Sequence, residues 1–222
     1  MMSEHHKVMV WDLPTRLFHW GLALAVTALV ATGKAGEDWV TWHARLGYVA
    51  GSLVVFRIVW GFAGGHWSRF TTFPPSPKAA LNDLRQGPSG ETLGHSPAGA
   101  LSVYAMLTFL ALQVATGLAS ANKDDFAGPL AQFVPNEMVR ACSQYHRNVG
   151  EWIVIALVVL HVAAVAYYRW ALRRNLVAAM VHGYQQAAPG SLGSRDDMRM
   201  RVLALVVLAA CAALFGWVAS LA

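Results

Sequence analysis

Four of the nine histidines, His19, His43, His146 and His161, sit inside or at the ends of long apolar runs. An ionisable ring in such a place is costly to leave unpaired and is a functional candidate by default. A neutral imidazole offers one nitrogen to a metal and one to a hydrogen bond, so three chemistries are open: metal ligation, proton transfer, or hydrogen-bonded packing. Depth separates them. His19 stands fourteen residues before Gly33, which at the helical rise is roughly 21 Å below the outer boundary of its run. His161 stands fifteen residues after His146, roughly 22 Å below the same level. His43 and His146 each open their own run at the outer level, so the four form two couples at two depths.

Fifteen residues of helix return a side chain to within about 60° of its starting direction, so His146 and His161 face one interior. Two imidazoles from different helices at one depth are what a haem iron requires when the protein fills both axial positions. The reading is therefore two b-type haems, with His19, His43, His146 and His161 as axial ligands. Zinc or copper is the rival, but the couples lie too far apart for one tetrahedral site and bring no Cys or Asp with them. No CxxCH occurs, so haem is not attached covalently. Arg16, one turn before His19, and Arg57, fourteen residues after His43, are candidate partners for haem propionates. The alternative for both is snorkelling to the cytoplasmic interface. His66, His95 and His182 fall on the cytoplasmic side, as interfacial residues, as a replacement for His19, or as proton relays. His5 and His6 belong to an arm expected to be mobile.

These residues require helices long enough to cross a hydrocarbon core, roughly 17 to 25 residues each. Five runs qualify: about Leu17 to Gly33, His43 to Gly64, Pro97 to Ala119, His146 to Tyr168, and Val202 to Ala222. The expected fold is an all-α integral membrane protein, a four-helix transmembrane bundle plus a fifth C-terminal helix. The domain reading is 1–184 for the haem-bearing part and 185–222 for a linker and the extra span, with a flexible stretch from Ala187 to Ser194. The first run lacks a small-residue cleavage pattern and is expected to be retained. Lys and Arg concentrate in the N-terminal arm and in the loops 65–96 and 169–201, which puts the N-terminus in the cytoplasm and the C-terminus outside. That asymmetry accounts for the net charge of +5, and no nucleic-acid partner is needed. Trp residues gather toward span ends as an aromatic belt would. PKAALNDLRQ reads as a short helix, and the outer loop 120–145 as a segment lying on a surface; both are candidate lids. Cys142 and Cys211 lie at different depths and are not expected to bridge.

VWDLPTRLFHW at the first span, WHARLGY and FRIVWGFAGGHWSRF bounding the second, GHSPAGAL opening the third, HRNVGEW and LHV in the fourth, and NLVAAMVHG after it resemble the prokaryotic cytochrome b561 family. That group is related to the b-type cytochrome subunits of nickel-iron hydrogenases and formate dehydrogenases. The resemblance covers roughly residues 8 to 184. It implies a four-helix membrane bundle in the bacterial inner membrane, holding two bis-histidine haems with ligands from the first, second and fourth spans. These positions coincide with His19, His43, His146 and His161; the fifth span departs from the shortest members. The expected function is electron transfer between a periplasmic redox partner, a c-type cytochrome or a dehydrogenase, and quinone in the bilayer. Two further readings are a superoxide:quinone oxidoreductase, with Lys123, Arg140 and Arg147 steering an anion, and a haem-bearing anchor subunit for a peripheral dehydrogenase or hydrogenase.

Overall fold

The computed structural model describes residues 6–86, 93–122 and 126–222. Five helical segments are long and apolar enough to cross a membrane: Leu13–Lys34, Glu37–Ala63, Pro97–Leu118, Asn136–Trp170 and Met198–Ala219. Within them run α1 (Leu13–Lys34), α2 (Val40–Ala63), α4 (Pro97–Leu118), α5 (Asn136–Tyr145), α6 (Glu151–Trp170) and α8 (Met198–Ala219). Large side chains such as Leu24, Phe62, Leu160 and Trp217 remain exposed on them, as helices surrounded by lipid allow and helices in water do not. The protein is thus an all-α membrane protein, with short α3 (Pro77–Gln86) and α7 (Leu176–His182) between spans.

Caps written into the sequence start these helices. Asp12 accepts the Thr15 amide at 2.8 Å at the head of α1. Ser96 takes the Gly99 amide at 3.1 Å in front of Pro97, Asn175 the Ala178 amide at 3.0 Å, and Asp197 the Met200 amide at 3.0 Å. Each satisfies one of the amides a helix start leaves without an internal partner. Gly183 ends α7 with φ +92° and returns its amide to Ala179 O, the left-handed cap that glycine adopts without strain.

Two departures from the sequence reading concern the polar ends. His6, expected in a mobile arm, opens a strand β1 (His6–Met9) that pairs antiparallel with β2 (Tyr184–Ala187), His6 opposite Ala187 and Met9 opposite Tyr184. His5 lies outside the described residues. The stretch after β2, expected to be flexible, is held by hydrogen bonds: Ser194 N donates to Met9 O at 2.7 Å, Ser194 Oγ to Val10 O at 2.7 Å, and Trp67 Nε1 to Leu192 O at 2.9 Å. These bonds tie the segment to the N-terminal strand and to the loop after the second span. The fourth span also starts earlier than the apolar run suggests, because α5 continues through a π-helical turn, His146–Gly150, into α6.

The chain divides into two compact units. The first comprises residues up to Leu17, Arg57–Ala105 and Val158–Leu205. Its core gathers Val10, Trp11 and Ala179 with Trp67, Leu93 and Met180, and the same unit holds a fully buried Asp12. The second comprises Phe18–Phe56, Met106–Leu157 and Val206–Ala222. Here the fifth span joins the second through a glycine socket, since a Cβ at Gly51 would lie 2.2 Å from the Phe215 ring. The fifth helix is therefore packed against its own chain at this point. Cys142 and Cys211 are both free thiols.

Candidate functional site: the interhelical histidines

His43 stands near the start of α2 and His146 at the start of the π turn, and their rings meet with centroids 6.0 Å apart and planes at 88°. Each ring is fixed by a neighbouring helix. His43 Nδ1 lies 3.1 Å from Leu29 O of α1, with Thr32 Oγ1 3.2 Å away. His146 Nδ1 lies 2.9 Å from Gln113 O of α4. A carbonyl oxygen only accepts, so both bonds require the proton on Nδ1 and leave each Nε2 as a bare lone pair. Glycines supply the space: a Cβ at Gly117 would lie 2.8 Å from His146 Cε1, and one at Gly33 3.3 Å from His43 Cε1.

Gln113 does more than lend a carbonyl. Its Nε2 donates to His146 O at 2.9 Å, and a Cβ at Gly150 would strike its Oε1 at 2.0 Å. In a π turn the carbonyl ladder slips by one residue, and the Gln113 amide takes up the His146 carbonyl there. Lys34 and Glu151 close an ion pair at 2.6 Å in the same unit.

The donor set fits an iron held from both sides. Metal–imidazole bonds of about 2 Å, with ring centres roughly 1 Å behind each nitrogen, call for centroids roughly 6 Å apart. The anchored Nδ1 atoms are the outer hydrogen bonds that metal-ligating histidines ordinarily make. Among the described residues no three His, Cys, Asp or Glu side chains come together, which is the set a structural zinc site would demand.

The remaining sequence candidates are placed as follows. His19 lies in α1, its ring edge-on to Trp20 with centroids 5.2 Å apart, and His161 lies in α6. They belong to different units. Arg16 donates from Nη1 to Val181 O at 2.6 Å and sits 4.0 Å from Asp196, so it ties α1 to the segments around α7. Arg57 is 3% exposed, so it does not snorkel to water. His66 packs against Trp67, and His182 accepts the Tyr184 amide at 3.2 Å; both serve local structure. His95 is wedged between Trp11 and Phe73, with ring centroids 4.7 and 4.2 Å away. Burial, then the Arg57 charge, push its imidazole down to about 3. Arg140 and Arg147 line a groove with Asn122 and Ser143; Lys123, and Asp124 and Asp125 beside it, lie outside the described residues.

Sequence reasoning passed over two residues. Asp12 accepts from the Thr15 amide, Ser68 Oγ at 2.8 Å, the Gly65 amide at 3.1 Å and Trp60 Nε1 at 3.3 Å; its only signal was an acid directly before a helix. Gln113 was a lone amide in an apolar span.

A helical membrane protein whose spans bring two Nδ1-anchored imidazoles together, edge to face, has the makings of a membrane protein with a site built from histidines of different helices. The chain is a member of the prokaryotic cytochrome b561 family, whose pattern matches residues 10–183. It is accordingly a b-type cytochrome, a class that carries haem b. Among its relatives, the probable Ni/Fe-hydrogenase B-type cytochrome subunit of Bradyrhizobium diazoefficiens is 25% identical over 81% of this chain and 86% of the relative. The protein of the same description from Rhodobacter capsulatus is 26% identical over 81% of each.

Proposed function

We propose that the protein carries electrons across the bacterial inner membrane through two haems b, one held by His43 and His146 and the other by His19 and His161. The observation that carries this reading is the 6.0 Å couple of His43 and His146 with both Nδ1 atoms tied to carbonyls. When bound, the haems supply reversible one-electron transfer. The residues' share is to fix the ring tautomer, aim each Nε2, and keep water from the couple.

The N-terminus faces the cytoplasm, and the electron partners are a periplasmic redox protein and membrane quinone. Relatives described as hydrogenase cytochrome subunits support a redox enzyme as the partner, with this chain as its membrane subunit. The test is a haem count and reduced-minus-oxidised spectrum of the purified protein, with quinol as reductant. Two haems per chain and reduction by quinol are expected; protein without porphyrin, or inert to quinols, overturns the reading. The groove with Arg140 and Arg147 supports a second reading, oxidation of superoxide with quinone as acceptor, for which quinone-dependent loss of superoxide is the assay.

A further inference from the structure

Arg57 is a cation inside a membrane span, 3% exposed. Its Nη1 has no hydrogen-bond partner. The guanidinium lies over two aromatic faces, 5.0 Å from the Phe70 centroid and 5.9 Å from that of Phe73. Such contacts compensate part of a desolvated charge but supply no anion. Asp12 is the carboxylate whose field reaches Arg57, yet its oxygens already take the Thr15 and Gly65 amides, Ser68 Oγ and Trp60 Nε1. Among the described residues no ion pair includes Arg57.

A second buried nitrogen without a partner stands beside it. His95 Nδ1 is buried and unbonded, and its ring packs on the same Phe73 that Arg57 overlies. Tyr104, on the Phe70 and Phe73 rings, turns its hydroxyl to Phe70 O at 3.4 Å. Two buried nitrogens, one of them permanently charged, therefore share one aromatic wall without an acceptor. A neutral carbonyl would fill one hydrogen bond and leave the charge uncompensated. A carboxylate answers both, with its paired oxygens matched to a guanidinium and a ring N–H.

We propose that Arg57 and His95 form a two-point clamp for a carboxylate, supplied by a propionate side chain of a haem. The inference rests on the haem reading above and adds His95 to the cofactor's binding residues. Burial, and then the Arg57 charge, keep the His95 ring neutral, and a neutral imidazole can offer one N–H to an anion.

The experiment uses full-length protein produced under haem limitation and titrated optically with iron protoporphyrin IX and with its dimethyl ester, whose propionates carry no charge. In the wild type the ester should bind one haem position about tenfold to hundredfold more weakly than the free acid. Arg57→Gln and His95→Gln should each shrink that acid-to-ester ratio, and Arg57→Lys, which keeps the charge but loses the fork, should give an intermediate ratio. Should Arg57→Gln fail to accumulate, His95→Gln and Arg57→Lys carry the test. Infrared difference spectra with haem labelled at its propionate carboxyl carbons give a second readout, and the carboxylate band should shift in the same variants. Unchanged ratios and bands, with porphyrin still bound, overturn the clamp and leave the haem reading standing. Protein that takes up neither porphyrin overturns both.

Discussion

Gln113 and His146 hold each other twice across two helices: the glutamine side chain donates to the His146 carbonyl at 2.9 Å, and the His146 ring bonds the Gln113 carbonyl at 2.9 Å. One residue of α4 thus fixes both the backbone and the ring of a residue that opens the π turn. The backbone carbonyl survives any substitution at 113, but the side-chain bond does not. Gln113→Leu should leave the half-buried His146 carbonyl without its side-chain partner, at a cost of about 1 kcal/mol. We expect a lower melting temperature and weaker retention of one haem, because the His146 ring keeps its own bond to the Gln113 carbonyl while the backbone that carries the ring loses a support. Equal haem retention and equal stability in Gln113→Leu would show that the side chain is a bystander.

The two couples make separable predictions about alanine variants. His43→Ala and His146→Ala should each lose the same haem, because their rings meet. His161→Ala should lose the other, while the first keeps its spectrum and potential. Haem stoichiometry with redox titration of each variant reads this directly. Loss of one and the same haem in His146→Ala and His161→Ala would break the assignment.

The fifth span meets the second where Gly51 faces Phe215, and any Cβ there would overlap the ring. Overfilling a packed contact of this kind costs about 1 to 3 kcal/mol. Gly51→Val should therefore destabilise the protein in detergent, and Phe215→Ala in the same chain should restore part of the loss. A thermal melt of the two single variants and the double variant measures the coupling. Additive losses would mean that the ring and the glycine do not share this contact in the folded protein.

How far these features could be read from the sequence depends on the range of the forces involved. The spans are legible because the bilayer imposes one strong, local demand, about twenty apolar residues in a row. His43 and His146 could be set at one level because each opens its own apolar run, and their rings do meet. Asp12 could not be read in this way, because its donors Trp60, Gly65 and Ser68 come from 48 to 56 residues away. The β1 and β2 pairing joins residues near both ends of the matched region, and four-residue polar strands carry no alternation strong enough to announce it. The early start of the fourth span was hidden for another reason. α5 is amphipathic and polar, so an apolar-run criterion passes over a helix that nonetheless continues into α6. Gln113 was visible as an amide among apolar residues, but its partner was not, because a π turn is a local backbone choice without a sequence signature.

His95 gives the protein a pH dependence whose direction follows from its burial. Its imidazole is held at about 3 by desolvation and then by the Arg57 charge, against an unfolded value near 6.5. Below about pH 6.5 the unfolded chain binds a proton at this position that the folded chain refuses, so acidification favours unfolding; above it both states are neutral and the contribution is flat. In haem-free protein, stability should fall by up to about 1.4 kcal/mol for each pH unit between roughly 6 and 4. His95→Gln, which cannot take the proton, should flatten that part of the profile whatever it does to stability at pH 7. A carboxylate seated against Arg57 and His95 would raise the proton affinity of the ring, so the haem-loaded protein should tolerate acid better than the haem-free one over the same range. Melting temperatures at pH 7, 6, 5 and 4 for both forms of wild type and His95→Gln measure the effect, and parallel curves for the two haem-free proteins would refute it.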